Sequence, residues 1–228
     1  MSNEVTKSSS NQVAEFKIKE LSAKAAEQLR GIKLEYPQLK IPTGGALFFE
    51  VDEEPVKEIL GVIIHHGPRN VYYATEFDGS NNPPDCSSRD GEVGYERIPD
   101  AEPEDAQYNC KNCADCPYSK FGSDDDGRGK ACKEKHQLYI LSSDRAIPFS
   151  FLLPVSSTGP LNSYATKLFN QGKFLNEVLT AFSLEKATSK TNIVYSKLVL
   201  KKVRDLTPEE IEVCEKKGQS VIKDVENG

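Results

Sequence analysis

The sequence predicts a β-rich α+β protein, with about seven strands suited to a small barrel, an inserted cysteine-rich module and a C-terminal helix. Three observations carry that expectation. Extended apolar runs bounded by Gly, Pro, Asn, Asp and Ser dominate the chain from residue 45 onward. Five of the six cysteines fall within residues 86–132, in a stretch almost without apolar periodicity. Helical stripes are few and short, so alternating βαβ units are not the pattern.

Taken in order, the first 15 or so residues are rich in Ser, Asn and Lys, the composition of a disordered tail. Residues 16–30 read as a short helix ending at Gly31. Gly45–Val51 reads as a strand. Ile59–His65 and Asn70–Thr75 flank His66-Gly67-Pro68-Arg69, the signature of a hairpin. Residues 78–135 follow, rich in Asp, Gly, Pro and Cys. A structureless loop of that length is improbable in a compact domain unless something clamps it.

Gln137–Leu141 and Ile147–Leu153 read as strands around Ser142–Arg145, with Pro148 placing the start of the second at an edge. Leu161, Tyr164, Ala165, Leu168 and Phe169 form a helical stripe that Gly172 stops. Val178–Lys186 and Asn192–Val203 give a further strand pair. Residues 208–217 are a helix with Thr207 as N-cap, Pro208 at its first position and acidic residues in its first turn. The expected organisation is a tail and short helix at 1–30, a β domain at 40–206 with the module inserted at 78–135, and a C-terminal helix at 207–228. No internal repeat is found.

The 228 residues carry 29 Lys+Arg against 35 Asp+Glu, a formal −6. That excludes a generic basic coat for nucleic acid. No run approaches the roughly 18 apolar residues of a membrane helix, and the polar start lacks a secretory signal. A soluble cytoplasmic protein, with no membrane partner, is the expectation. The charge is uneven. Residues 1–85 and 86–136 each carry −4 and the tail from 207 carries −3, whereas 137–206 carries +5 with 8 of the 19 aromatics. Cations for phosphates and flat rings for bases are what a single-stranded nucleic-acid groove needs. The plainer account of any one ring is core, and of any one lysine a solvated face.

The clustered cysteines are Cys86, Cys110, Cys113, Cys116 and Cys132, spaced C-x23-C-x2-C-x2-C-x15-C. A C-x2-C pair sets two thiolates on one tight turn, two corners of a tetrahedron, and a distant pair closes the site. Without signs of secretion a disulfide framework is the weaker reading. A structural Zn2+ is expected, with Cys113, Cys116 and Cys132 as ligands and Cys86, Cys110 or His136 as the fourth. An iron–sulfur cluster is the alternative, because Cys110, Cys113, Cys116 and Pro117 echo a ferredoxin run. The next cysteine then follows after x15 rather than x3. Cys214, alone on the last helix, reads as a packing residue.

Several segments resemble a family of proteins from phages and integrated mobile elements. They are Gly61–His66 with Asn70–Tyr73, Pro84–Ser88 with Asp90-Gly91, and Cys113-x2-Cys116-Pro117 with Phe121-Gly122-Ser123. Gly127–Lys133, followed by Leu138–Leu141, Leu153-Pro154 and Ser156-Ser157, completes the pattern. The resemblance covers roughly residues 40–200, and Gly-Lys-Ala-Cys-Lys is its most specific piece. It implies an OB-like barrel and single-stranded DNA binding in replication or recombination. It also implies Cys86, Cys113, Cys116 and Cys132 as the recurring cysteines, which favours Cys86 as fourth ligand.

The leading expectation is therefore a non-enzymatic single-stranded DNA-binding protein, with replication or recombination proteins as further partners. Phosphate contacts would come from Arg128, Lys130, Lys133 and Lys135 beside the metal, and from Lys186, Lys197, Lys201 and Lys202 on the late strands. Stacking candidates are Tyr139, Phe149, Phe151 and Tyr195. Strand alternation sets Tyr139 opposite Leu138 and Ile140, and puts Phe149 and Phe151 on one face, as a two-base platform or a core would. The alternative is a protein-interaction adaptor built on the zinc module. A zinc enzyme ranks lower. Asp90, Glu92 and Asp115 are near the cysteines, but four thiolates leave no water position. His65 and His66 point to opposite faces of a strand and do not chelate one ion together.

Overall fold

The computed structural model describes residues 35–75, 83–97, 108–189 and 192–227. The expected tail and short helix at 1–30 lie outside the described residues. The rest is a β-rich α+β fold of antiparallel sheets with two α-helices. Eleven strands run in chain order: β1 (Leu39–Lys40), β2 (Phe49–Val51), β3 (Glu54–Val56), β4 (Ile59–Tyr72), β5 (Cys86–Ser88), β6 (Val93–Arg97), β7 (Tyr108–Asn112), β8 (Lys133–Ser142), β9 (Phe149–Leu153), β10 (Val178–Thr188) and β11 (Val194–Asp205). Helix α1 is Val155–Phe169 and helix α2 is Pro208–Asn227.

β4 organises the molecule. Its first residues pair with β10 and its last with β5, while its other edge pairs with β8 along residues 61–71. β11 flanks β10, β9 flanks β8, and β6 and β7 continue outward from β5. The expected hairpin at His66–Arg69 is thus one continuous 14-residue strand. β8 holds the chain extended through Gly67 and Pro68, where local turn chemistry alone would have reversed it. Pro68 sits in the stretch where β4 has a strand partner on one edge only, the place a sheet tolerates a residue without an N–H.

Both faces of this sheet are covered. On one face Ile63, Leu138, Ile140, Phe151, Phe182 and Leu198 join Leu161, Tyr164 and Leu168 of α1 and Phe49 and Val51 of the small β1–β2–β3 sheet. On the other, Val62, Ile64, Tyr139, Leu141 and Leu179 pack against Cys214 and Val221 of α2. The register shift between Ile63 and His65 re-aims the strand between these cores. Double burial explains the uninterrupted apolar run from Ile59 to Ile64.

A closed barrel does not form among the described residues. β9 meets the first segment only through one isolated bridge, Gln38 to Ser150, and a 2.9 Å bond from the Ser150 N–H to the Pro37 carbonyl. The segment after β1 returns to β11 by a side chain, Ser196 Oγ donating to the Ala46 carbonyl at 2.7 Å. The curl is closed by single contacts rather than a ladder.

The last helix begins where capping chemistry predicts. The Glu210 N–H reaches Thr207 Oγ1, and the Thr207 N–H reaches Glu210 Oε2, a reciprocal capping box after which Pro208 starts the helix. It runs on to Asn227, ten residues past the expected 217, because Val221 and Val225 keep its apolar face on the sheet. Helix α1 starts at Val155, earlier than the apolar stripe from Leu161 indicates. Ser156–Pro160 reads locally as a loop, yet it forms the first turns of the helix.

Candidate metal centre and nucleic-acid interface

Four cysteines from distant segments meet in one place. Cys86 opens β5, Cys113 and Cys116 lie in the turn after β7, and Cys132 directly precedes β8. All four line one cavity of about 60 Å3, together with Gly94, Glu96 and Lys111. Backbone bonds build the turn. The Cys113 N–H donates to the Glu92 carbonyl at 2.8 Å, and the Cys116 N–H to the Cys113 carbonyl at 3.3 Å. The Cys132 N–H donates to Tyr118 at 2.9 Å, which brings the third segment to the knuckle. A methyl at Gly94 would lie 3.1 Å from Cys86 Sγ and 3.5 Å from Cys113 Sγ, so Cys86 would have to give by a few tenths of an ångström to accommodate it.

The sequence motifs around the cysteines are turn chemistry. Asp90 Oδ1 accepts bonds from Ser88 Oγ and from the Glu92 and Val93 N–H groups, at 2.8–2.9 Å, and the Gly91 N–H donates to Ser88 Oγ. Those backbone bonds hold the Asp90 carboxyl below its ordinary range, and they commit it to the β5–β6 turn rather than to acid–base work. In the Gly-Arg-Gly-Lys run, Asp124 Oδ1 accepts the Arg128 N–H and the Gly122 N–H donates to Gly129. Ser123 Oγ bridges Tyr118 and Ala131.

The thiols are free of disulfides among the described cysteines. Burial first, then the neighbouring sulfurs, raises the pKa of Cys86 and pushes Cys132 up to about 11. Both shifts favour the protonated thiol; a divalent cation at these two sulfurs reverses that balance. As placed, no group of three or more His, Cys, Asp or Glu among the described residues is set to hold an ion. The structure brings the four thiols to one cavity without closing them on a point.

Of the other expected ligands, His136 is not in this cavity. It lies in β8, with Nε2 3.0 Å from His66 Nδ1. The side chain of Cys110 lies outside the described residues, though its backbone is in β7 opposite Tyr95. Cys214 is fully buried in the second core, its pKa pushed up to about 12 by burial, as expected of a packing residue.

The stacking candidates fare differently from the cysteines. Phe151 is 0%, Phe149 4% and Tyr139 7% exposed, so none of the three offers a face to a base. Alternation located them correctly, but both faces of β8 are core, one under α1 and one under α2, and the face of β9 that carries Phe149 and Phe151 lies in the α1 core. Of the basic candidates near the cysteines, Lys130 is paired with Glu134 at 2.6 Å and Lys133 donates to the Lys130 carbonyl. Lys135 is half-buried beside Arg69, which together lower its pKa, burial first. Arg128 is exposed.

On β11, buried Ser196 and Leu198 mark the core face, so Tyr195, Lys197 and Lys201 share the outer one. Lys197 is bonded there to Glu185 at 2.8 Å. Lys186 and Lys202 pair with the buried Ser196 and Thr180, on the opposite face, and Lys202 bonds Asp205. The eight cations therefore do not form one groove.

Sequence reasoning missed the rings that are exposed. Tyr73 (44%), Tyr95 (43%) and Phe121 (78%) surround the cysteine module, where Tyr118 also stacks on Tyr72 at 4.2 Å. They belong to the acidic segment, and only their position on a coreless module exposes them. Comparison with protein-family models, curated proteins and solved structures returns no match to this chain.

Proposed function

We propose that this chain is a non-enzymatic single-stranded DNA-binding protein of a phage or mobile element, acting in replication or recombination. Its module is clamped by one structural Zn2+ held by Cys86, Cys113, Cys116 and Cys132. The convergence of these four thiols on one cavity is the observation that carries the reading. The donor set suits zinc: soft thiolates, two of them from a C-x2-C turn, with Lys111 at the rim to offset their charge. Bound zinc would replace the protons that burial favours on Cys86 and Cys132. The chain's own residues supply the rest: Gly94 leaves space, and Asp90 and Asn112 tie the turns that aim Cys86 and Cys113.

DNA binding is supported by the outer face of β11, where Tyr195, Lys197 and Lys201 line up, and by the exposed Tyr73 and Tyr95 with Arg97 on the module sheet. The single contacts that draw the residues flanking β1 to β9 and to β11 support an OB-like arrangement. The exposed rings on an acidic module also suit an adaptor that docks proteins.

Metal analysis of the purified chain should find one zinc, lost in Cys86→Ser and retained in Cys110→Ser. Anisotropy titrations with single- and double-stranded oligonucleotides over a salt series test the binding. Single strands should bind more tightly, and Lys201→Ala should flatten the salt slope by about 0.7. Absence of binding at low salt would leave the adaptor.

A further inference from the structure

The geometry points to a second metal site, independent of the cysteines: an open bis-imidazole site for a late divalent transition metal, formed by His66 and His136. The two residues are diagonal neighbours on adjacent strands, since His66 faces Leu138 and His136 faces Pro68 in the β4–β8 register. Their rings stack with centroids 5.2 Å apart and planes 29° apart, and His66 Nδ1 stands 3.0 Å from His136 Nε2. Two nitrogens about 2.0 Å from one metal are about 2.8 Å apart at a right angle and about 3.3 Å apart at a tetrahedral angle. The observed separation lies between the two.

Both bonded nitrogens become donors once each ring carries its proton on the other atom, His66 Nε2 and His136 Nδ1. The two rings favour the neutral form needed for this, because burial lowers both pKa values and each His66 neighbour, His136 and then His65, lowers it further. The pair also opens to solvent. His66 is partly accessible, at the rim of a cleft of about 260 Å3 that His65, Phe169, Phe174 and Asn176 also line, without a carboxylate. Water would complete the coordination. Imidazole nitrogen suits Cu2+, Ni2+ and Zn2+, with Cu2+ bound most tightly. His65 takes no part, because it faces Tyr139 on the other side of β4, with rings 5.8 Å apart. An ion here would staple β4 to β8 beside the register shift.

Calorimetric titration of the full chain, as purified, with Ni2+ tests the site. Saturable binding of one equivalent is expected, weakened at least tenfold in His66→Ala and in His136→Ala and unchanged in His65→Ala. No saturable binding by the unmutated chain, or binding by either His66→Ala or His136→Ala as tight as that of the unmutated chain, overturns the proposal. A readout without mutation guards against variants that loosen the sheet. The chain has three histidines. Excess Zn2+ should move the 15N resonances of His66 Nδ1 and His136 Nε2 and leave those of His65 in place. Unmoved resonances overturn it equally.

Discussion

Single residues in this protein are decided by what lies across a strand from them. His66 and His136 illustrate this. Burial holds both below the ordinary histidine value of 6.5. A depressed imidazole pKa means the unfolded chain takes up protons more readily than the native one. Their contribution to stability is therefore full above pH 6.5 and lost as pH falls from there toward the native values. Urea unfolding of the unmutated protein should show stability dropping between pH 7.5 and 5, and His66→Gln should flatten that drop. An equal drop in the variant would place the titration elsewhere. Gly94 is the other case. Its Ala variant sets a methyl against Cys86 Sγ, and under the zinc proposal metal release to a chelator should speed up at least tenfold, read with a chromogenic dye. The sequence singles out His66 and His136 separately but does not pair them, because 70 positions lie between them, and Gly94 does not stand out in it.

At the scale of elements, the runs at 137–141, 147–153, 178–186 and 192–203 are legible as strands because each is apolar enough to need burial. The C-terminal helix is legible from Thr207, Pro208 and Glu210 alone, since a cap is a local interaction. β4 is not, because pairing with β8 outweighs the turn preference of Gly67-Pro68. The β2–β3 turn shows the same priority. Asp52 and Glu53 take φ of 50° and 68°, both left-handed, in a two-residue hairpin that pairs Val51 with Glu54. Glu53→Gly should remove that cost and stabilise the protein by about 1 kcal/mol, measured as a raised midpoint in urea. Gly218→Ala should do the reverse. A methyl there would stand 2.5 Å from the Ile64 carbonyl oxygen, where α2 crosses β4, and a loss of about 2 kcal/mol is expected.

On the scale of the whole molecule, the two cores draw residues from the small sheet, β4, β8–β11 and both helices, and none from β5, β6 or β7. Strands without a core of their own need another restraint. Under the zinc proposal, chelation should expose the amides of residues 83–132 to hydrogen exchange while those of β8, β10 and β11 stay protected. Simultaneous loss of protection everywhere would mean that the module and the main sheet unfold as one. No helix among the described residues is long and apolar enough to cross a membrane.

The sequence by itself determined the cysteine pattern, the late strands, the capped helix and the uneven charge. Each of these depends on spacing or composition within a short window. Only the tertiary structure decided which side chains are surface. Tyr139, Phe149 and Phe151 have the residue type and the alternation of a binding platform. The helix at 155–169 packs in the core that takes Phe149 and Phe151, and the helix at 208–227 in the core that takes Tyr139, so all three rings become interior. Burial is a property of what packs from a distance, so alternation can assign two rings to one face without saying whether water or a helix lies over it.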